Sequence, residues 1–599
     1  MSSDATALVY DVRAHNLHAH LYQITLTVPQ PAADQCLSLP VWIPGSYLVR
    51  EFAKHLQGLQ AQQNGQAVAL TQLDKCSWQA HCSPAAALVL HYEVYAFDAS
   101  VRTAWLDAQR GFFNGTSLCL QVHGQTQQPH LLRLSAAGLP KDWHAACALP
   151  AQKVTSRGFD SYLAANYDEL VDSPVELGAF WQGHFVAFGV THRFVVAGAP
   201  PSFDGARLLA DAQRVCETEI GFWHGQHTAD APHRHYLFLL NAVHDGYGGL
   251  EHRHSTALIC RRADLPRTDA SPAAPPPAGY TTLLGLISHE YFHTWNVKRL
   301  RPAEFAHYNY AQENYTELLW FFEGFTSYFD DLLLRRAGLI DSAKYLTLLA
   351  KTINQVRQTP GRRVQSVAQA SWDAWVKYYR PDENSANATV SYYTLGSLIA
   401  LCLDLSLRQT THSSLDAVMR TLWQRCQGGA MTEQDVTDAV TALGSAALAT
   451  QLQQWVHGTA DLPLEKLLKA QGICYTLESA SRLEQLGLKV IEQQGLKVKS
   501  VLRGSAAEAA GMAAGDEWLG ILLDSDVAPA GASAHPGWRI HTPDDVALVL
   551  GQASAFQALV ARDQRLMWLP VRLPKTLHNV RLSVSDPALA EVWLATHDK

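Results

Sequence analysis

The residues of this chain best suited to chemistry are His289-Glu290-Tyr291-Phe292-His293, two histidines four apart with a glutamate beside the first. On a helix, positions i and i+4 share a face, so both imidazoles reach a single metal ion. The Glu290 carboxylate is then placed to take a proton from a water at that ion, a pairing that makes a nucleophile at neutral pH. A hydrolytic zinc site keeps three protein ligands and one open position. The best third ligand is Glu323, in Trp320-Phe321-Phe322-Glu323-Gly324-Phe325. A lone carboxylate among aromatic rings is costly to bury without a cation, and ligation removes that cost. Two turns further along the same face, Asp330 is placed to hydrogen-bond a ligating imidazole, with Asp331 as the alternative. Ten cysteines without a CxxC pair leave the ligands to His and Glu. The expected cofactor is one Zn2+ per chain, held by His289, His293 and Glu323.

The element that must carry this motif spans residues 281–300, where the apolar spacing predicts a helix. Lys298 and Arg299 fall in its last turn and Pro302 lies just beyond. Upstream, residues 1–165 alternate as strands do, for example Tyr22-Ile24-Leu26-Val28, with turn signals at Pro44-Gly45 and Asn114-Gly115. Residues 207–224 read as a helix, 235–242 as a buried strand, 245–251 as a glycine-rich stretch and 271–279 as a proline/alanine surface loop. Helical patterns continue to about residue 470, and short strands return after Leu477. The fold class expected is multidomain α+β, because 599 residues exceed what one core organises.

Composition narrows the partners. A net charge of -8 with no long basic run argues against nucleic acid or an anionic membrane surface. The first thirty residues hold no signal or anchor pattern, and apolar runs such as Leu398 to Leu405 are too short to span a bilayer. A cytoplasmic protein is expected.

Several longer strings carry a resemblance. HEYFH followed by WFFEGFTSYF is similar to the gluzincin metallopeptidases, in which the Glu of a WxxEG motif is the third zinc ligand. Gly248-Gly249-Leu250-Glu251-His252 resembles the GxMEN motif of the alanyl aminopeptidases, with Leu250 and His252 departing from Met and Asn. That resemblance implies that the backbone of Gly248 and Gly249 pairs with substrate and that Glu251 binds its free α-amine. Tyr392-Tyr393-Thr394-Leu395-Gly396 resembles a YxKG segment, which implies that the Tyr393 hydroxyl stabilises the oxyanion, Leu395 standing in place of Lys.

The fuller resemblance is to the glycyl aminopeptidase family of PDZ-bearing gluzincins. It rests on Trp42-Ile43-Pro44-Gly45-Ser46-Tyr47 with Arg50-Glu51-Phe52, on residues 110–117 (RGFFNGTS), on 293–302 (HTWNVKRLRP) and on 382–396. It implies an N-terminal β-domain (1–165), a thermolysin-like catalytic domain (166–400), a helical domain (401–477) and a PDZ domain (478–599). In that last stretch, Leu486-Gly487-Leu488 and the run from Gly504 to Glu517 match a protease-associated PDZ, which takes a peptide as an added strand. The activity implied is hydrolysis of the first peptide bond of peptides with a free N-terminus, with a preference for glycine or a small residue. The rivals are a zinc endopeptidase that grips protein substrates through the PDZ domain and a non-catalytic PDZ scaffold.

Overall fold

A computed structural model describes residues 7–269, 277–411, 413–523, 537–574 and 577–595, so most of the loop expected at 271–279 lies outside the described residues. The chain is a multidomain α+β protein whose N-terminal part is β-rich. An eight-stranded sheet runs from Ala151–Val154 at one edge to Gln66–Val68 at the other, with two four-stranded sheets beside it. In Leu21–Val28 every second residue is buried, as a strand with one face on a core requires. Three buried tyrosines, Tyr10, Tyr92 and Tyr167, donate their hydroxyls to the carbonyls of Leu120, Leu118 and Cys119 at 2.6, 2.7 and 2.8 Å. These bonds satisfy a segment that runs through the core without a sheet partner. The N-terminal sheets continue past residue 165: Val175–Gly178 pairs with both Arg110–Phe113 and His144–Cys147.

The central body begins with a five-stranded sheet, ordered Trp181–Ala187, Val190–Ala197, His235–Val243, Ser255–Arg261 and Gly248–Glu251. The glycine-rich stretch is therefore an edge strand, antiparallel to Ser255–Arg261 with Gly248 opposite Ile259 and Glu251 opposite Thr256. Helices Gly205–His224, Ala278–Phe292, Gly324–Arg336 and Tyr392–Thr410 pack with this sheet around one large core. The stretch Ser385–Thr410 is long and apolar enough to cross a membrane, yet 83% of its apolar window is buried inside the protein. It serves as a core helix.

The expected helix over 281–300 is shorter than its apolar spacing suggested. It ends at Phe292 with His293 as its cap, because the residues that follow are drawn to other partners. Asn296 donates its amide to the Phe322 carbonyl and the Thr326 hydroxyl. Buried Lys298 pairs with Asp172 at 2.7 Å, and Arg299 bonds the carbonyls of Thr294, Arg253 and Pro232. Cations near a helix C-terminus are a sequence-level stop signal, but here they mark a buried network.

At the C-terminal end, strand Ile473–Ser479 pairs antiparallel with His578–Val584, and helix Pro587–Leu594 returns to the main core. Trp593 donates its indole N–H to the Tyr328 hydroxyl at 2.9 Å, and the Asn354 side chain bonds the Val580 backbone twice. A separate small core with its own sheet lies between these two strands. His578–Val584 and Pro587–Leu594, within the expected 478–599 unit, thus pack on the main core.

Candidate active site

The Ala278–Phe292 helix is wedged between sheet and helices, which explains why its apolar residues go most of the way round. Polar contacts set its rotation. The Tyr291 hydroxyl lies 2.8 Å from His192 Nε2 and 2.9 Å from His233 Nε2. The Ser288 hydroxyl lies 2.9 Å from a Glu219 carboxylate oxygen and 3.0 Å from the Asp330 carbonyl. With that face anchored, His289 and His293 point toward Glu323, and Glu290 points toward the edge strand at Gly249.

His289 Nδ1 is 3.1 Å from Asp330 Oδ2, and His293 Nδ1 is 2.7 Å from the Asn296 carbonyl. A carbonyl and a carboxylate accept, so each neutral ring carries its proton on Nδ1 and presents an Nε2 lone pair. Those two Nε2 atoms lie 3.1 Å apart and 3.5 and 3.3 Å from Glu323 Oε2. Two lone pairs and an anionic oxygen converging this closely in a buried place call for a cation, and the three ligand atoms fall within 4.8 Å of one another. The donor set of two imidazoles and one carboxylate suits zinc. Asp331 makes no hydrogen bond to either imidazole, and burial with the neighbouring Asp330 charge pushes it up to about 8.

Glu290 is 5% exposed, and its Oε2 has no hydrogen-bond partner. Burial raises its carboxyl to about 7, against the pull of His289 and His293. A carboxylate in that range takes and returns a proton near neutrality. Tyr393 stacks against His289 with ring centroids 6.2 Å apart, which places it beside the same cluster. Two glycines make that approach possible: a Cβ on Gly324 would lie 2.6 Å from the Gly396 Cα, so the two helices cross backbone to backbone. Tyr392, next door, is fully buried and packs against Tyr378.

The opposite wall is the edge strand. A Cβ on Gly249 would collide with the Glu290 carboxylate, so the strand passes directly over the base. Glu251, at its end, is 4% exposed and makes no hydrogen bond or ion pair with its side chain among the described residues. It is no solvated turn residue. The chain just beyond it is clamped by Asp172, which bonds His252 Nδ1 at 3.1 Å, the Arg253 N–H at 3.0 Å and Lys298 Nζ at 2.7 Å. Burial raises the Asp172 carboxyl, but Lys298 and His252 outweigh it and hold it well below the usual range.

Residues from the N-terminal part also reach this wall, and none was singled out from the sequence as a site residue. Gly45 (φ +90) lies against Glu251: a Cβ there would sit 2.5 Å from Oε1, in a backbone conformation that side chains rarely adopt. Trp42 anchors this loop in the catalytic core, donating its indole N–H to the Asn309 carbonyl at 2.8 Å and packing on Trp375. Arg102 Nη2 donates to the Gly249 carbonyl at 3.2 Å. The sequence signals at Gly45 were the Pro-Gly turn and its place in the Trp42–Tyr47 string, and neither says which carboxylate the turn will meet.

Comparison with known proteins agrees with this geometry. Residues 9–179 match the Peptidase M61 N-terminal domain, and residues 282–399 match the M61 glycyl aminopeptidase domain. The crystal structure of an aminopeptidase N family protein from Idiomarina loihiensis superposes with a TM-score of 0.90 at 36% identity, over 98% of this chain and 100% of that one. An M1 zinc metallopeptidase from Deinococcus radiodurans gives a TM-score of 0.49 at 17% identity, over 77% of this chain and 95% of that one. No curated protein matches the chain significantly.

Proposed function

The chain belongs to the M61 glycyl aminopeptidase family and is a metallo-aminopeptidase; from that premise we propose how its residues divide the work. His289, His293 and Glu323 hold one zinc ion, and Asp330 orients His289. When bound, zinc supplies a Lewis acid and lowers the pKa of water. Glu251 receives the α-ammonium of the substrate, which fixes the first peptide bond over Glu290. Glu290 takes the proton of the attacking water and passes it to the leaving amine. The Tyr393 hydroxyl donates to the developing oxyanion. The family resemblance supports a preference for glycine or another small first residue.

The observation that carries this reading is Glu251: a buried carboxylate with no salt bridge among the described residues, two residues along the strand from Gly249, which lies over the base. An unpaired buried charge is costly, and an arriving ammonium removes the cost. The test compares a free peptide with its N-acetylated form. The free peptide is hydrolysed and the acetylated one is not; equal turnover of both would favour an endopeptidase.

We also read the small C-terminal module as a PDZ domain. Among the described residues its strand Leu488–Glu492 is a sheet edge, paired only with Leu496–Val501, and Gly487 before it turns in the left-handed region at φ +70. An edge of that kind supports peptide binding by strand addition.

A further inference from the structure

Two arginines of the N-terminal part, one of them bonded to the edge strand, form no salt bridge among the described residues. Arg50 follows the Pro44–Tyr47 loop and donates Nη2 to the Ser46 hydroxyl at 2.5 Å. Arg102 gives Nη2 to the Gly249 carbonyl, and its Nη1 lies 3.8 Å from where a Gly248 Cβ would stand. Both side chains are half-buried, both Nε atoms are buried with no partner, and neither arginine forms a salt bridge among the described residues. Burial first, then the nearby Arg102 charge, lowers Arg50 to about 10 against the smaller pull of Tyr379 and Asp98. Two like charges crowded together with unused N–H groups are costly to keep, and a bidentate carboxylate is the ligand their geometry favours.

Their position along the strand says which carboxylate. Going from Glu251 back to Gly248, the order is the unpaired carboxylate, then Gly249 over the Glu290 base, then the Arg102 guanidinium at Gly248 and Gly249. A substrate whose amine sits at Glu251 and whose first peptide bond lies at Glu290 therefore continues toward Arg102. Three residue steps of strand cover roughly 10 Å, about the length of an extended tripeptide.

We propose that Arg50 and Arg102 form a subsite for the C-terminal carboxylate of short peptides, so that the enzyme measures its substrate from both ends and favours tripeptides with a free C-terminus. This inference rests on the aminopeptidase reading above. It also gives a role to Arg50 within the Trp42–Phe52 string, which the metal chemistry leaves unused.

The test measures kcat/KM for Gly-Ala-Ala and for its C-terminal amide, with wild-type enzyme and with Arg50→Met and Arg102→Met. Wild-type enzyme should prefer the free acid by roughly 10- to 100-fold, as expected for a charge-assisted contact. The acid-to-amide ratio should fall toward one in both variants. Equal turnover of acid and amide by wild-type enzyme overturns the subsite while leaving the aminopeptidase intact, and this comparison needs no variant to fold. A ratio that survives in both variants also overturns it. Failure to cleave either peptide overturns the aminopeptidase reading and the subsite together.

Discussion

The two walls of the active site are built on opposite principles. On the helical wall the charged groups answer one another: His289 has Asp330, His293 has the Asn296 carbonyl, and Glu323 lies against both imidazoles. On the strand wall they do not: Glu251, Arg50 and Arg102 all lack a salt bridge among the described residues. A wall whose ligands are pre-oriented by their own neighbours suits a resident ion. A wall whose charges are left open suits a ligand that comes and goes, since every unpaired group becomes paired only when substrate arrives. The same low-dielectric surroundings serve both, holding the ion in one case and rewarding the visitor in the other.

The largest test strips the helical wall of its ion. A chelator should abolish turnover and added Zn2+ should restore it, followed by metal analysis of the dialysed protein; retained activity without metal would dissolve the contrast. Glu290→Gln comes next, with kcat falling by roughly 10²- to 10⁴-fold while bound metal stays at the wild-type level. Metal loss in that variant would show that Glu290 belongs with the ligands. Asp330→Asn should weaken metal affinity by roughly 10- to 100-fold, read by competition with a chromophoric chelator, whereas Asp331→Asn should change it much less. The smallest effect belongs to the strand wall. Glu251→Gln should lower kcat/KM for free peptides about tenfold, mostly through KM, and leave metal content unchanged. A fall in metal content with Glu251→Gln would mean that the two walls are not separate.

Much of the helical wall was legible in the chain. HEYFH places two donors at helical spacing, a local property that survives into the fold, and the aromatic setting of Glu323 marks the third. The choice of Asp330 over Asp331 was open, because one residue on a helix turns the side chain by about 100° and only packing decides which one meets His289. The end of the motif helix was misjudged by the same logic. Lys298 and Arg299 look like solvent-facing stop residues until Asp172 and three carbonyls from distant segments are brought to them.

The strand wall was legible only in part. Glu251 stood out through a resemblance, but its burial, its lack of a partner and the contact with Gly45 depend on residues more than two hundred positions away. What the sequence determined by itself was the set of chemical groups and their short-range spacing: two imidazoles, a base and a third carboxylate, each on an element whose periodicity it announces. What only the tertiary structure decided was which charges are answered and which are left open. That depends on long-range approach, of Trp42–Tyr47 and Arg102 onto the edge strand and of Gly324 against Gly396, and no local periodicity encodes such meetings.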